Sequence, residues 1–216
     1  MMSTRLLVTL VGVACIALVA LLLADMTVPA AASKFIASSA FVALAIRGGA
    51  LASVYGRLIL TGLALSWCGD MFLIGLSKTA FLAGLVAFLL AHVAYVAAFV
   101  RHGYERRWIW VAMVPVTAIA IGVFVWLEPY TPPDLLNPVR AYVAVISLMV
   151  VFAMGTQGRG GSKLIVAGAI MFFLSDLSVA SLRLVQTEYP TYSIGLPLYY
   201  AGQVCLALSS SQSRSH

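Results

Sequence analysis

Apolar runs long enough to cross a bilayer recur along this chain, with little sequence between them. A helix needs about 20 apolar residues to span the hydrocarbon core, where no water satisfies the backbone. Eight such runs cover roughly 6–24, 30–46, 54–75, 79–100, 108–127, 138–154, 163–183 and 192–210. They predict an all-α polytopic membrane protein of eight transmembrane helices, forming one integral membrane domain over 1–216. Composition agrees: the chain is 62% hydrophobic and 9% charged, where a soluble domain is about 25% charged.

The net charge of +6 does not point to nucleic acid, because the basic residues gather at span ends. There they meet lipid headgroups and set orientation. Arg5, Arg47, Arg57, Arg101, Arg106, Arg107, Arg159, Lys163 and Arg214 fall on one side of an eight-span arrangement, nine in all. Lys34, Lys78, Arg140 and Arg183 make four on the other. The positive-inside rule then places both termini in the cytoplasm, for a protein of a bacterial inner membrane. Pro29-Ala30-Ala31-Ala32-Ser33 has the small residues of a signal cleavage site, but the apolar run after Arg5 is longer than a signal core. A retained first helix is expected.

Five of the seven acidic residues lie in the polar connections. Asp70, in LALSWCGDMFLIG, and Asp176, in AIMFFLSDLSVAS, sit inside apolar runs. A carboxyl group there is costly and marks a functional site by default. Their surroundings repeat: Arg57 precedes Asp70 by thirteen residues, and Lys163 precedes Asp176 by thirteen. Lys34 and Arg140 share the same 106-residue offset as the two acids. Phe81-x-x-Gly84-x-x-x-Phe88-x-x-x-His92 also matches Tyr192-x-x-Gly195-x-x-x-Tyr199-x-x-x-Gln203. An internal duplication of four spans each, in parallel orientation, would bring the two acids together between the halves, near the midplane. His92 and Gln203 would pair up in the same way.

The helical spacing of Phe81, Gly84, Phe88, His92 and Tyr95 makes one stripe, as does that of Tyr192, Gly195, Tyr199 and Gln203. Such stripes suit helix packing or a cavity wall rather than a lipid-facing surface. Lys34, near a span end, can snorkel to the interface or bind a phosphate. Tyr95, Tyr142, Tyr199 and Tyr200 are wall residues of the expected pocket. Trp108, Trp110 and Trp126 read as an interfacial belt. Cys15, Cys68 and Cys205 lack metal-like spacing and read as packing residues.

Several chemistries lack their residues. No lysine is mid-span to form a retinal Schiff base, and the Tyr-Asp and Gly-x-Gly-Asp pair of intramembrane aspartyl proteases is absent. So is a Gly-x-Ser-x-Gly element or a phosphate-binding glycine loop, and no cluster of metal ligands has sensible spacing.

The chain resembles the YhhN family of membrane proteins, the lysoplasmalogenases. The likeness rests on Ser66-x-x-Gly69-Asp70, Phe81-x-x-Gly84-x-x-x-Phe88-x-x-x-His92-x-x-Tyr95, Pro138-Val139-x-x-Tyr142, Gly168-x-x-x-Phe172-x-x-Ser175-Asp176 and Tyr199-Tyr200-x-x-Gln203. It covers about 30–209. One departure is Phe35 after Lys34, where the family usually has Lys-Pro. The resemblance implies a hydrolase that cuts the vinyl ether bond of a lysophospholipid, releasing a fatty aldehyde and a glycerophospho-headgroup. The residues fit that chemistry independently. A vinyl ether is cleaved by protonation at carbon and trapping of the oxocarbenium ion by water, which a pair of carboxyl groups can serve, as in glycosidases. No cofactor is needed. Asp70 and Asp176 are the catalytic pair, His92 and Gln203 orient water or substrate, and Lys34 is placed to hold phosphate. A small proton-coupled transporter, with the acids as a relay, and a lipid-binding membrane protein without turnover are the alternatives.

Overall fold

Serines start several of the helices. In the computed structural model, which describes residues 2–75 and 77–210, α1 spans Thr4–Leu23, α2 Thr27–Arg47, α3 Val54–Phe72 and α4 Lys78–His102. Further along are α5 Arg106–Leu127, α6 Leu136–Gly155, α7 Lys163–Ala180 and α8 Tyr192–Ser209. The hydroxyls of Ser3, Ser53, Ser77 and Ser162 accept backbone N–H groups in the first turns of α1, α3, α4 and α7. A capping serine satisfies donors that a helix start otherwise leaves orphaned. A π-helical turn, Ser181–Val185, follows α7 and ends at Gln186 in the left-handed region, φ 56°.

All eight apolar runs of the sequence are helices, and no strand occurs among the described residues. Six of the helices, α1, α2, α4, α5, α6 and α7, are long and apolar enough to cross a membrane. The other two, α3 and α8, carry Ser66, Asp70 and Gln203, which are buried in the bundle. Polar side chains turned inward lower the apolar content of a helix without exposing it to lipid.

Neighbours in sequence pack as pairs: α1 with α2, α3 with α4, α5 with α6, α7 with α8. Across the bundle α2 packs on α8, α4 on α6, and α1 on α8. The core joins Phe41, Tyr95, Phe99, Phe172, Tyr199 and Tyr200, all buried. The first helix contributes Leu7, Val11 and Leu18 to it, and the cleavage-like Pro29–Ser33 stretch lies within α2. By contrast α5 buries only Ala112 and Leu127 and turns Trp110, Val114 and Val125 outward. An apolar helix with so little buried surface is suited to lipid on most of its circumference. Trp108 and Trp126 are also exposed, at its two ends.

One end of the bundle is tied by Tyr55, whose hydroxyl meets Ser209 at 2.8 Å and whose ring packs edge-on to His102. At that end the Glu105 N–H also donates to the Gly155 carbonyl. The opposite end carries the Lys78–Asp134 and Arg140–Glu128 ion pairs, both exposed. The three cysteines are free thiols.

Candidate active site

Asp70 sits in the last turn of α3 and is 2% exposed. Its Oδ2 accepts hydrogen bonds from Ser38 Oγ of α2 at 2.6 Å and from Tyr199 OH of α8 at 2.7 Å. Its Oδ1 faces Lys34 Nζ at 3.6 Å. A buried carboxylate needs both a countercharge and donors for its lone pairs, and Asp70 has both.

Asp176 lies on α7, where its Oδ2 accepts from Tyr142 OH of α6 at 2.6 Å. His92 Nε2 of α4 is 3.6 Å from the same oxygen, beyond direct hydrogen-bond reach. No lysine or arginine pairs with this carboxyl group among the described residues. The two acids therefore sit in unlike settings. Asp70 takes hydrogen bonds from α2 and α8, whereas Asp176 takes one from α6 and has His92 of α4 only nearby.

Aromatic rings fill the space beside the acids. Phe88, Phe172 and Tyr199 pack mutually edge-to-face, with centroids 5.3 to 6.1 Å apart. His92 packs on Phe172 at 4.5 Å and on Tyr142 at 5.3 Å. Glycines admit these rings. A Cβ on Gly69 would meet the Phe88 ring at 2.6 Å, and one on Gly62 would meet the Tyr95 ring at 2.3 Å. The Gly69-Asp70 motif thus pairs an acid with the gap that lets an aromatic ring lie against its helix.

Both carboxyl groups line one cavity of about 130 Å³. Lys34, Tyr142, Ser175 and Tyr199 share its polar part, and Phe81, Leu85, Leu127, Val139, Val143 and Ile146 line much of the rest. A larger cavity of about 620 Å³ adjoins it, and Lys34, Leu73, Ser175, Val179 and Leu196 line both. The cavities lie toward the bundle end remote from the Tyr55–Ser209 bond, displaced from the middle position that a midplane site would occupy.

Five of the residues singled out from sequence thus meet at the cavity: Asp70, Asp176, Lys34, Tyr142 and Tyr199. Four stand behind it. Tyr95 OH donates to Gln203 Oε1 at 2.9 Å, both fully buried. Tyr200 OH lies 3.2 Å from Ser38 Oγ, and His92 is fully buried against Tyr142. Ser38 was not among the sequence candidates. Its position four residues after Lys34 puts it on the same face of α2, which is the signal that could have found it.

Fold and site together define a polytopic α-helical membrane protein whose buried polar groups converge on a two-carboxyl cavity. The YhhN family model matches residues 29–210, and the chain belongs to that family. Similar curated proteins include lysoplasmalogenase TMEM86A of Bos taurus, 29% identical over 72% of this chain and 66% of the relative. TMEM86B of Sus scrofa, also a lysoplasmalogenase, is 29% identical over 77% of this chain and 66% of its own length. The lysoplasmalogenase of Mycobacterium bovis is 31% identical over 69% of this chain and 59% of its own. The matched region thus spans less than two thirds of each of these relatives, from 59% to 66%. No solved structure matches the chain.

Proposed function

We propose that this chain is a membrane hydrolase of the lysoplasmalogenase type, cleaving the vinyl ether bond of a single-chain phospholipid. The observation that carries the reading is the placement of Asp70 and Asp176 on one cavity whose remaining walls are largely apolar. Relatives named lysoplasmalogenase support it.

Asp70 is the ionised partner, held by Lys34 and two hydroxyl donors. Asp176, with no cation, is the proton carrier. It delivers a proton to the β-carbon of the vinyl ether, and the ether oxygen stabilises the cation that forms on the α-carbon. Water attacks that carbon as Asp70 takes its proton, the division of labour found between paired carboxyl groups in glycosidases. The hemiacetal then collapses to a fatty aldehyde and the glycerophospho-alcohol. Proton exchange with cavity water restores both acids. Tyr142 and Tyr199 orient the carboxyl groups, while His92, backed on Tyr142, and Gln203, bonded to Tyr95, brace the wall.

We further read the chain as eight spans in a parallel duplication of four and four. In support, each acid has a hydrogen-bond donor from the second helix of its own half and a polar side chain nearby from the fourth helix of the other half, bonded for Asp70 and at 3.6 Å for Asp176. Both termini then face the cytoplasm of a bacterial inner membrane, on the side of the larger basic count. A carrier would need a polar path to both faces. The two cavities lie toward the same end, which favours the enzyme.

The test is aldehyde release by purified protein in detergent from a defined lysoplasmalogen, beside the ester-linked lysolipid of equal chain length. Aldehyde from the first and no turnover of the second is the expected result. No aldehyde from the vinyl ether, in protein that remains folded, refutes the reading.

A further inference from the structure

The larger cavity is lined by two cations, Lys34 and Arg183, and by the polar side chains Thr27, Ser175, Ser178 and Tyr192. No acidic side chain is among its described lining residues. The two cations are not equivalent. Lys34 is committed to Asp70 at 3.6 Å, whereas Arg183 makes no ion pair with any described carboxylate. Arg183 lies on the π-helical turn that continues α7, the helix of Asp176. Such turns are uncommon and recur at functional sites. Its guanidinium lies 5.9 Å from the centre of the Phe81 ring, and that ring lines the smaller cavity. Arg183 thus stands beside both cavities.

We infer that Arg183 forms the phosphate subsite of this protein, with the larger cavity holding the glycerophospho-headgroup and the smaller one the start of the hydrocarbon chain. The guanidinium is planar and always charged, and its paired donors match phosphate oxygens. The order of groups in the ligand fits the order of groups in the protein. In a single-chain glycerophospholipid the phosphate, the glycerol, the bond to the chain and the chain follow one another. From Arg183 inward the protein offers a cation, a junction lined by Lys34 and Ser175, two carboxyl groups and then an apolar wall. Lys34 is thereby reassigned: it positions Asp70, and the phosphate falls to Arg183.

The inference deepens the reading above and rests on it for the lipid class, but its test needs no turnover. Thermal unfolding of the purified protein in detergent is followed with ester-linked lysophosphatidylethanolamine, with monoacylglycerol of the same chain and with soluble glycerophosphoethanolamine. The phospholipid is expected to raise Tm more than either of the others. Arg183→Gln should bring the phospholipid shift down to that of monoacylglycerol, and Arg183→Lys should keep part of the difference. Arg183 is exposed, so the Tm of each variant without lipid should stay near the parent's. Equal shifts from phospholipid and monoacylglycerol in the parent overturn the inference, as does a difference that survives Arg183→Gln. A full shift from soluble glycerophosphoethanolamine overturns the assignment to lipid. If the subsite stands but no lysoplasmalogen is cleaved, the hydrolase reading fails on its own.

Discussion

Lys34 Nζ lies 3.6 Å from Asp70 Oδ1, joining the second turn of α2 to the last turn of α3. The two side chains are 14% and 3% exposed, so the pair is largely shielded from water. Removing one member of a buried pair leaves an uncompensated charge and costs about 3–5 kcal/mol in typical cases. Lys34→Ala should therefore lower Tm and, in protein that stays folded, lower kcat about tenfold or more, about 1.4 kcal/mol per decade, with KM little changed. Lys34→Arg should retain much of the activity. A rise in KM alone would place Lys34 on the substrate rather than on Asp70.

Asp70→Asn and Asp176→Asn should each reduce turnover by about a hundredfold or more, the scale of a lost general acid or base. They should differ in stability. An amide in place of the Asp70 carboxylate would leave the Lys34 ammonium without its countercharge, so Asp70→Asn should lower Tm more than Asp176→Asn. Near-full activity in either purified variant rejects the paired-carboxyl mechanism.

Helices α7 and α8 meet through glycine. A Cβ on Gly168 would come within 3.0 Å of the Gly202 carbonyl oxygen, and one on Gly202 within 3.0 Å of the Gly168 carbonyl oxygen. Neither backbone can retreat without separating the helices. Gly168→Val or Gly202→Val should destabilise the protein by about 1–3 kcal/mol, the usual scale of overpacking. Gly122, on α5, has open space around it, and Gly122→Ala should leave Tm unchanged or slightly higher. Thermal unfolding of the three variants in one detergent checks the contrast.

Orientation is checked with reporter fusions at residue 216. Nine basic residues against four predict a reporter that is active only in the cytoplasm. Arg214, one of the nine, lies outside the described residues. Activity on the far side would change the number of spans or their direction.

Much of the fold was legible because membrane helices announce themselves by run length. All eight runs are helices, and α2 exceeds its expected bounds of 30–46 by a few residues at the start, where Pro29 lies in the first turn. Asp70 and Asp176 were legible because the cost of a carboxyl group inside an apolar run is rarely met without a functional return. Other features became visible only in three dimensions. The stripes of α4 and α8 placed His92 and Gln203 opposite one another, but the aromatic trio of Phe88, Phe172 and Tyr199 occupies the space beside the acids. Periodicity tells which residues share a face, and ring volume decides which of them reaches the cavity. Ser38 escaped notice because a serine in a membrane helix ordinarily bonds its own backbone. Arg183 looked like a span-end cation until the π-helical turn and the shared cavity wall gave it a place.

The junction of the two cavities, where Lys34, Leu73, Ser175, Val179 and Leu196 serve both walls, bears on what happens after the bond is cut. Hydrolysis there would split one amphiphile into fragments with opposite solubilities. On the proposed reading, an aldehyde formed beside Val139, Val143 and Ile146 would face an apolar wall and would be more soluble in the bilayer than in water. The glycerophospho fragment is water-soluble and would leave through the wider cavity. Turnover would thus convert a detergent-like lipid into two species that cannot recombine by diffusion in one phase, one kept by the bilayer and one by water.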